Sequence, residues 1–251
     1  MHGFVYDFTT KTALEISGVT ELGIGPVSPD GRFVVLPALG ECPPAPVCQM
    51  TASLLDLETQ TRQVILPSDY WFLMEMSWTS FGLTYFRPEC APAGCTSADK
   101  AGTFRWDGSR WTKISPHRLV DAVSEDHLLF ESRRSIETEE ASVTVIERVG
   151  ASERLLTSAP PEYAVAIDAL GVTTFRPSGQ GAYVRYVNGR ETGITPGTFS
   201  PYAFRHTRVG DWIVALDSGS GAPTLWAYSL TQRTLASRRA GISIVALAGL
   251  P

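Results

Sequence analysis

Apolar and polar residues alternate along most of this chain, in runs of about five to eight residues broken by turn-forming clusters. "GFVYDFTTKTALEIS" (Gly3 to Ser17), "LLDLETQTRQVIL" (Leu54 to Leu66) and "GAYVRYVNGRETGI" (Gly181 to Ile194) show the pattern. A period of two sends successive side chains to opposite faces of a strand, and no full window carries the 3.6-residue period of a helix. The breaks hold tight-turn chemistry: "SPDG" from Ser28 to Gly31, Asp107-Gly108 and Asn188-Gly189. Proline presets φ, and glycine or asparagine accepts the positive φ that hairpin turns require. The pattern predicts an all-β chain of short strands joined mostly by hairpins.

One phrase is written twice, as "GLTYFRPE" (Gly82 to Glu89) and "GVTTFRPS" (Gly171 to Ser178), with room between for one more unit of the same size. The chain divides into five units of about 40 to 50 residues, each a strand, tight turn, strand, long loop, strand, tight turn and strand. They open on "ELGIGPVSPDGRFVVLP", "WFLMEMSWTSFGLTYF", "HRLVDAVSEDHLLF", "YAVAIDALGVTTF" and "YAFRHTRVGDWIVALD". Four-stranded units of this size are the pattern of β-propeller blades. A two-sheet sandwich also has many short strands, but it does not require the same turn at the same place in every unit. Gly3 to Ser17 supplies two further strands, and "ISIVALAGL" (Ile242 to Leu250) supplies another. N-terminal outer strands and a C-terminal inner strand would complete a sixth blade and leave no open sheet edge. The expectation is one propeller domain over residues 1–251, of six blades, with five or seven as the alternatives. On this count the sixth blade lacks its second strand: either it has three strands or the native protein is longer.

"SPDGRFVVLP" followed by "SLLDLETQTRQVIL" resembles a blade of the TolB-like and WD-repeat-like six-bladed propellers. In that pattern a Ser-Pro-Asp-Gly turn joins the first two strands, and a Leu-x-Asp-Leu-x-Thr phrase occupies the third. The resemblance covers Ser28 to Leu66 and fades beyond, where "SWTSFG", "VSEDH" and "DALG" stand in for the turn. It implies a fold and carries no chemistry.

Charge narrows the partners. The net charge is −5 and no basic stripe is present, Arg238-Arg239 being a cluster of only two residues, so nucleic acid is not an expected partner. Ile242 to Leu250 falls far short of the roughly 20 residues needed to span a bilayer, and no membrane insertion is expected. The N-terminus, "MHGFVYDFTT", has no basic stretch leading into an apolar one, so no signal peptide is read in it. No phosphate loop or nucleophile elbow is present, "GIG" (Gly23 to Gly25) precedes no helix, and no cofactor is expected.

The four cysteines form two close pairs, Cys42/Cys48 in "ECPPAPVCQ" and Cys90/Cys95 in "ECAPAGCT". Local disulfides would each stabilise by about 2 kcal/mol in the chain-entropy picture and would imply a periplasmic or extracellular location. Zinc coordination and free thiols are the alternatives, although the spacings are loose for a zinc ribbon.

Catalysis would require charged residues on the inner strands at the channel mouth. Glu75, Asp121, Asp168 and His206 are the candidates for a hydrolase or lyase, as acid/base carboxylates or, with His206, as metal ligands. Polar residues line a wet channel in any case, and His2, His117, His127 and His206 show no ligand spacing, so no metal is expected. "SADKAGTF" (Ser97 to Phe104) approaches a sialidase Asp-box, but its glycine is one place late and no other unit repeats it.

A binding surface has more support. "PSDYW", "PHR", "PPEY" and "PY" lead into successive inner strands and place Tyr70, His117, Tyr163 and Tyr202 at equivalent points. These connections would share one face with the long loops from Gly40 to Gln49, Pro88 to Ala101 and Glu131 to Ala141. Trp71, Arg87, Arg176 and Arg205 belong to the same face, and aromatic rings with arginines dominate binding hot spots. The competing roles are tyrosines wedged between blades and arginines paired with acids. The expected function is an exported, non-catalytic module presenting this face to a protein or glycan. The alternatives are the channel-mouth hydrolase or lyase, and the propeller of a larger enzyme such as a peptidase.

Overall fold

The computed structural model describes residues 3–7, 12–20, 24–39, 49–71, 75–91, 94–95, 99–132, 144–156, 162–176, 181–196, 206–217 and 224–239. These residues contain strands and turns and no helix. They fall into two compact units, 1–78 with 82–116 and 79–81 with 117–251.

In the first unit, Gly3–Asp7 (β1) and Thr12–Ile16 (β2) pair as a hairpin. Phe33–Leu39 (β3), Gln49–Asp56 (β4) and Arg62–Trp71 (β5) form a three-stranded meander, sheet A. Sheet B begins with Glu75–Thr79 (β6) and Gly82–Arg87 (β7). A separate small hairpin follows, Cys90–Ala91 (β8) with Gly94–Cys95 (β9). Gly102–Trp106 (β10) and Trp111–Ser115 (β11) then complete sheet B.

The second unit holds three four-stranded antiparallel meanders. Sheet C is Arg118–Ser124 (β12), His127–Ser132 (β13), Thr144–Val149 (β14) and Ser152–Leu156 (β15). Sheet D is Tyr163–Asp168 (β16), Gly171–Arg176 (β17), Ala182–Val187 (β18) and Arg190–Pro196 (β19). Sheet E is His206–Val209 (β20), Trp212–Asp217 (β21), Thr224–Ser229 (β22) and Leu235–Arg239 (β23).

The five repeat units therefore correspond to sheets A to E. Among the described residues, the segment before β3 joins sheet A through the Val27–Val34 bridge, with Gly25 donating to the Val35 carbonyl, Val35 to that of Pro26 and Ser28 to that of Phe33. The proposed partner strand for the N-terminal hairpin, Ile242 to Leu250, lies outside the described residues.

Turn chemistry fixes the hairpins locally. Asn188 and Gly189 both have positive φ, 52° and 75°, the signature of a type I′ turn. Between third and fourth strands, Asp56 Oδ1 accepts the amides of Glu58 and Thr59, and Asp107 Oδ1 accepts those of Ser109 and Arg110. The Arg32 guanidinium, with these amides, holds the Asp56 carboxyl down to about 2. The amides of Arg110 and Ser109 do the same for Asp107.

Packing is face to face, within each unit. Sheet D is covered on both sides. Ile167, Val172, Val184 and Tyr186 meet Leu129, Val145 and Leu156 of sheet C. Val165, Phe175 and Tyr183 meet Ile213, Tyr228 and Leu230 at sheet E, with Tyr183 and Tyr228 stacked at 4.5 Å. In the first unit Val35, Ala52, Ile65 and Leu66 of sheet A pack against Leu83 and Tyr85 of sheet B. Tyr85 stacks on Phe104 at 4.8 Å, and the Trp111 indole donates to the Ile65 carbonyl at 2.6 Å. Each such fully buried side chain contributes about 1.5–3 kcal/mol.

The doubled phrase shows how far equivalence goes. Gly82 and Gly171 both have positive φ, 106° and 150°. A Cβ on Gly171 would lie 2.0 Å from the Tyr186 carbonyl oxygen, whereas on Gly82 it would meet only the Arg105 side chain at 3.8 Å. Gly171→Ala should therefore cost about 3 kcal/mol or more, and Gly82→Ala about 1 kcal/mol, in urea unfolding. Equal losses would show that the overhead carbonyl does not set the requirement.

Candidate functional site

Within each unit, the candidate residues belong to the sheet ends where the second strands stop. In sheet D this end is an organised polar network. Arg176, the last residue of β17, donates from Nε to Glu162 Oε1 at 2.8 Å and from Nη2 to Glu191 at 2.9 Å. Glu162 is only 2% exposed, and its other oxygen accepts the Thr174 hydroxyl and the Tyr186 hydroxyl, the latter at 3.1 Å. Burial opposes the charge on Arg176, but its bonds to Glu191 and Glu162 outweigh that and hold its pKa above the usual arginine range. Burial and the neighbouring Glu162 push the Tyr186 phenol up to about 12. Arg176 is thus committed to acids of its own sheet. The acids differ from those legible locally: Glu162 becomes its neighbour only once β16 pairs with β17.

Sheet C carries the same kind of pair with the charges exchanged. Arg118 at the start of β12 meets Glu131 near the end of β13, 3.1 Å apart, and Glu131 is 1% exposed. His117 precedes β12 and is half-buried; burial pushes its imidazole below 6.5, against the pull of Glu153. Tyr163 opens β16 and packs against the apolar layer between sheets D and E, a wedge position. In the first unit, Arg87 ends β7 half-buried, and Glu89 beyond it is exposed.

Tyr70 and Trp71 sit elsewhere than expected. They continue β5, opposite Met50 and Gln49 of β4, and do not lie in a connection equivalent to that of His117. The ladder breaks register at Pro67, where four steps along β5, Leu66 to Tyr70, face two along β4, Ala52 to Met50, and pairing resumes beyond it. Cys42, Cys48, Tyr202 and Arg205 lie outside the described residues. Glu75, Cys90, Cys95 and His206 are described in backbone position only: Glu75 opens β6, Cys90 and Cys95 are ladder partners, and His206 opens β20.

Of the candidate carboxylates, Asp121 and Asp168 are both engaged. Asp121 Oδ1 accepts the Ala122 amide, and Oδ2 accepts the Ile167 amide of sheet D at 2.9 Å, tying β12 to β16. Asp168 Oδ1 accepts the amides of Leu170 and Gly171 and the guanidinium of Arg185, which also donates to Thr173. Burial alone would raise the Asp168 pKa, but Arg185 and the turn amides bring it below 3.8. A general acid needs the opposite shift. The position itself has a recurrent task. At the same point of sheet B, Thr79 Oγ1 accepts the Phe81 amide, and in sheet C Ser124 Oγ accepts the Asp126 amide. Hydroxyl and carboxylate both serve there as turn caps.

Among the described residues no group of three or more His, Cys, Asp or Glu side chains could hold a metal, and no helix is long and apolar enough to cross a membrane.

No family model matches the chain. No curated protein is similar enough to match it. Solved structures do. An acylaminoacyl peptidase from Pyrococcus horikoshii superposes with a TM-score of 0.57 at 12% identity, over 95% of this chain and 41% of that one. An acylaminoacyl peptidase in complex with Z-Gly-Gly-Phe-chloromethyl ketone gives 0.54 at 11%, over 90% and 40%. A prolyl endopeptidase gives 0.52 at 12%, over 94% and 38%. The chain thus spans about two fifths of these structures, in their propeller domains. At this identity the likeness is one of fold: the chain is all-β and propeller-like.

Asp168 gives a pH test. Its folded pKa is depressed, so its contribution is complete above the unfolded value near 3.8 and is lost as pH falls through the lower folded value. Asp168→Asn removes the charge and leaves Arg185 buried without its anion. The variant should lose about 3 kcal/mol at pH 7, and its deficit against the parent should shrink below pH 4. A deficit independent of pH would remove the ion pair from the account.

Proposed function

We propose that this chain is a non-catalytic propeller-type binding module, exported to the periplasm or cell exterior, whose long-loop face engages a protein or glycan. In this reading it is a single domain of six blades of TolB-like or WD-repeat-like pattern. The observation that carries it is the employment of Asp121 and Asp168. One latches neighbouring sheets and the other caps a turn that threonine and serine cap elsewhere. The scaffold engages two of the three carboxylates considered for a hydrolase, and Arg176 with Glu162 braces the end of sheet D. Arg87 and the exposed Glu89 stand at the corresponding end of sheet B, beside the connection to β10.

A second reading, supported by the match to two fifths of longer peptidases, makes the chain the propeller part of a larger protein. An antibody raised to it would then detect, in its source, a polypeptide well above 27.3 kDa.

Glycan and peptide arrays test the first reading. Retention of a ligand is expected, weakened about tenfold by Arg87→Ala with Glu89→Ala and unchanged by Val64→Ala on the exposed outer strand of sheet A. Retention indifferent to the Arg87 and Glu89 changes would move binding off this face. Turnover of a glycoside or peptide ester that disappears in His206→Ala or Glu75→Gln would replace the binding module by the hydrolase.

A further inference from the structure

The β8–β9 hairpin places Cys90 and Cys95 directly opposite each other, with Ala91 and Gly94 as the next pair. Two residues separate Ala91 from Gly94 in the sequence. In such a hairpin the pair flanking the loop is closed by the turn's own hydrogen bond, and ladder pairs alternate. Cys90 and Cys95 therefore take the non-hydrogen-bonded place, where Cα atoms approach to about 4.5 Å and side chains are closest. That spacing lies within the range a disulfide spans. Among the described residues β8 and β9 pair only with each other. A two-stranded hairpin of two residues per strand is marginal in water. Whether it persists depends on a further constraint.

We propose that Cys90 and Cys95 form a local disulfide, and that this bond is a redox-controlled clasp on the connection between β7 and β10. Two thiols exchange with an acceptor disulfide. Attack by one cysteine thiolate gives a mixed disulfide, and attack by the other releases the acceptor as two thiols, with the two protons accounted for on them. Oxidised, the hairpin is fixed three residues beyond Arg87; reduced, it opens. The consequence for ligand binding rests on the binding-face reading above, whereas the bond and the ordering do not.

Trypsin makes the pairing readable. Arg87 precedes proline and resists cleavage, so one peptide, residues 63–100, contains Cys90 and Cys95, and another, 33–62, contains Cys42 and Cys48. The folded chain is equilibrated with glutathione disulfide, blocked with iodoacetamide and digested without reductant. The expected product is peptide 63–100, unalkylated and lighter by two hydrogens. A cross-link to peptide 33–62, a glutathione adduct, or alkylated Cys90 and Cys95 would each overturn the pairing. Hydrogen exchange over residues 88–101 then tests the clasp. Exchange is expected to rise at least tenfold in reduced parent protein and in Cys90→Ser with Cys95→Ser. Equal exchange in the oxidised and reduced parent would overturn the clasp even if the variant does not fold.

Discussion

Burial of a sheet on both faces is the constraint from which the rest follows. Sheet D meets sheet C through Ile167, Val172 and Val184, and sheet E through Val165, Phe175 and Tyr183. A sheet in that position has no wet face to which polar side chains can be sent. Its backbone is satisfied by its ladders, but Thr173, Thr174, Arg185 and Glu162 are buried too and need partners within the layer. They find them in two places, the Asp168–Arg185–Thr173 group at the tight-turn end and the Glu162–Thr174–Tyr186–Arg176 group at the other. Polar chemistry at the strand ends is therefore what allows the middle of the sheet to be apolar.

That arrangement bears on function. A half-buried carboxylate such as Asp168, accepting two amides and a guanidinium, is stabilised in its charged form, which opposes proton exchange near neutral pH. Asp121 has the additional task of covering an amide on β16, the open edge of sheet D. Inner strands of such sheets present unpaired edges, and a neighbour's side chain can satisfy them without adding a strand. Of the inner-strand residues that look catalytic in a list, Asp121 holds adjacent sheets together and Asp168 caps a turn within its own sheet.

What the sequence discloses follows the same division. Asn188-Gly189, Asp107-Gly108 and "SPDG" mark their turns because the requirement is local, a positive φ or an amide two residues away. The five units are legible for the same reason: their turns recur. Tyr70 was misplaced because proline before it reads as the end of a strand, and only pairing with Met50 extends β5 past it. Partners of Arg176 could not be read locally, since Glu162 reaches it through the register of β16 on β17.

The repeated Phe-Arg-Pro shows why a repeat marks architecture better than activity. In both copies glycine takes a positive φ and opens the second strand, and threonine two residues later faces an arginine of the third strand, Arg105 or Arg185. From there the copies diverge. Thr173 accepts from Arg185, whereas Thr84 meets Ser77. Asp168 precedes one strand and Thr79 the other, and each caps its turn. The backbone task is shared and the side-chain environment is rebuilt from whichever neighbour packs above it. A residue that recurs in step with the fold is accounted for by the fold. The search for a ligand belongs with what is not repeated in every unit, and the cysteine-bearing connections, present in the units of sheets A and B and missing from the sequence of the other three, are such a feature.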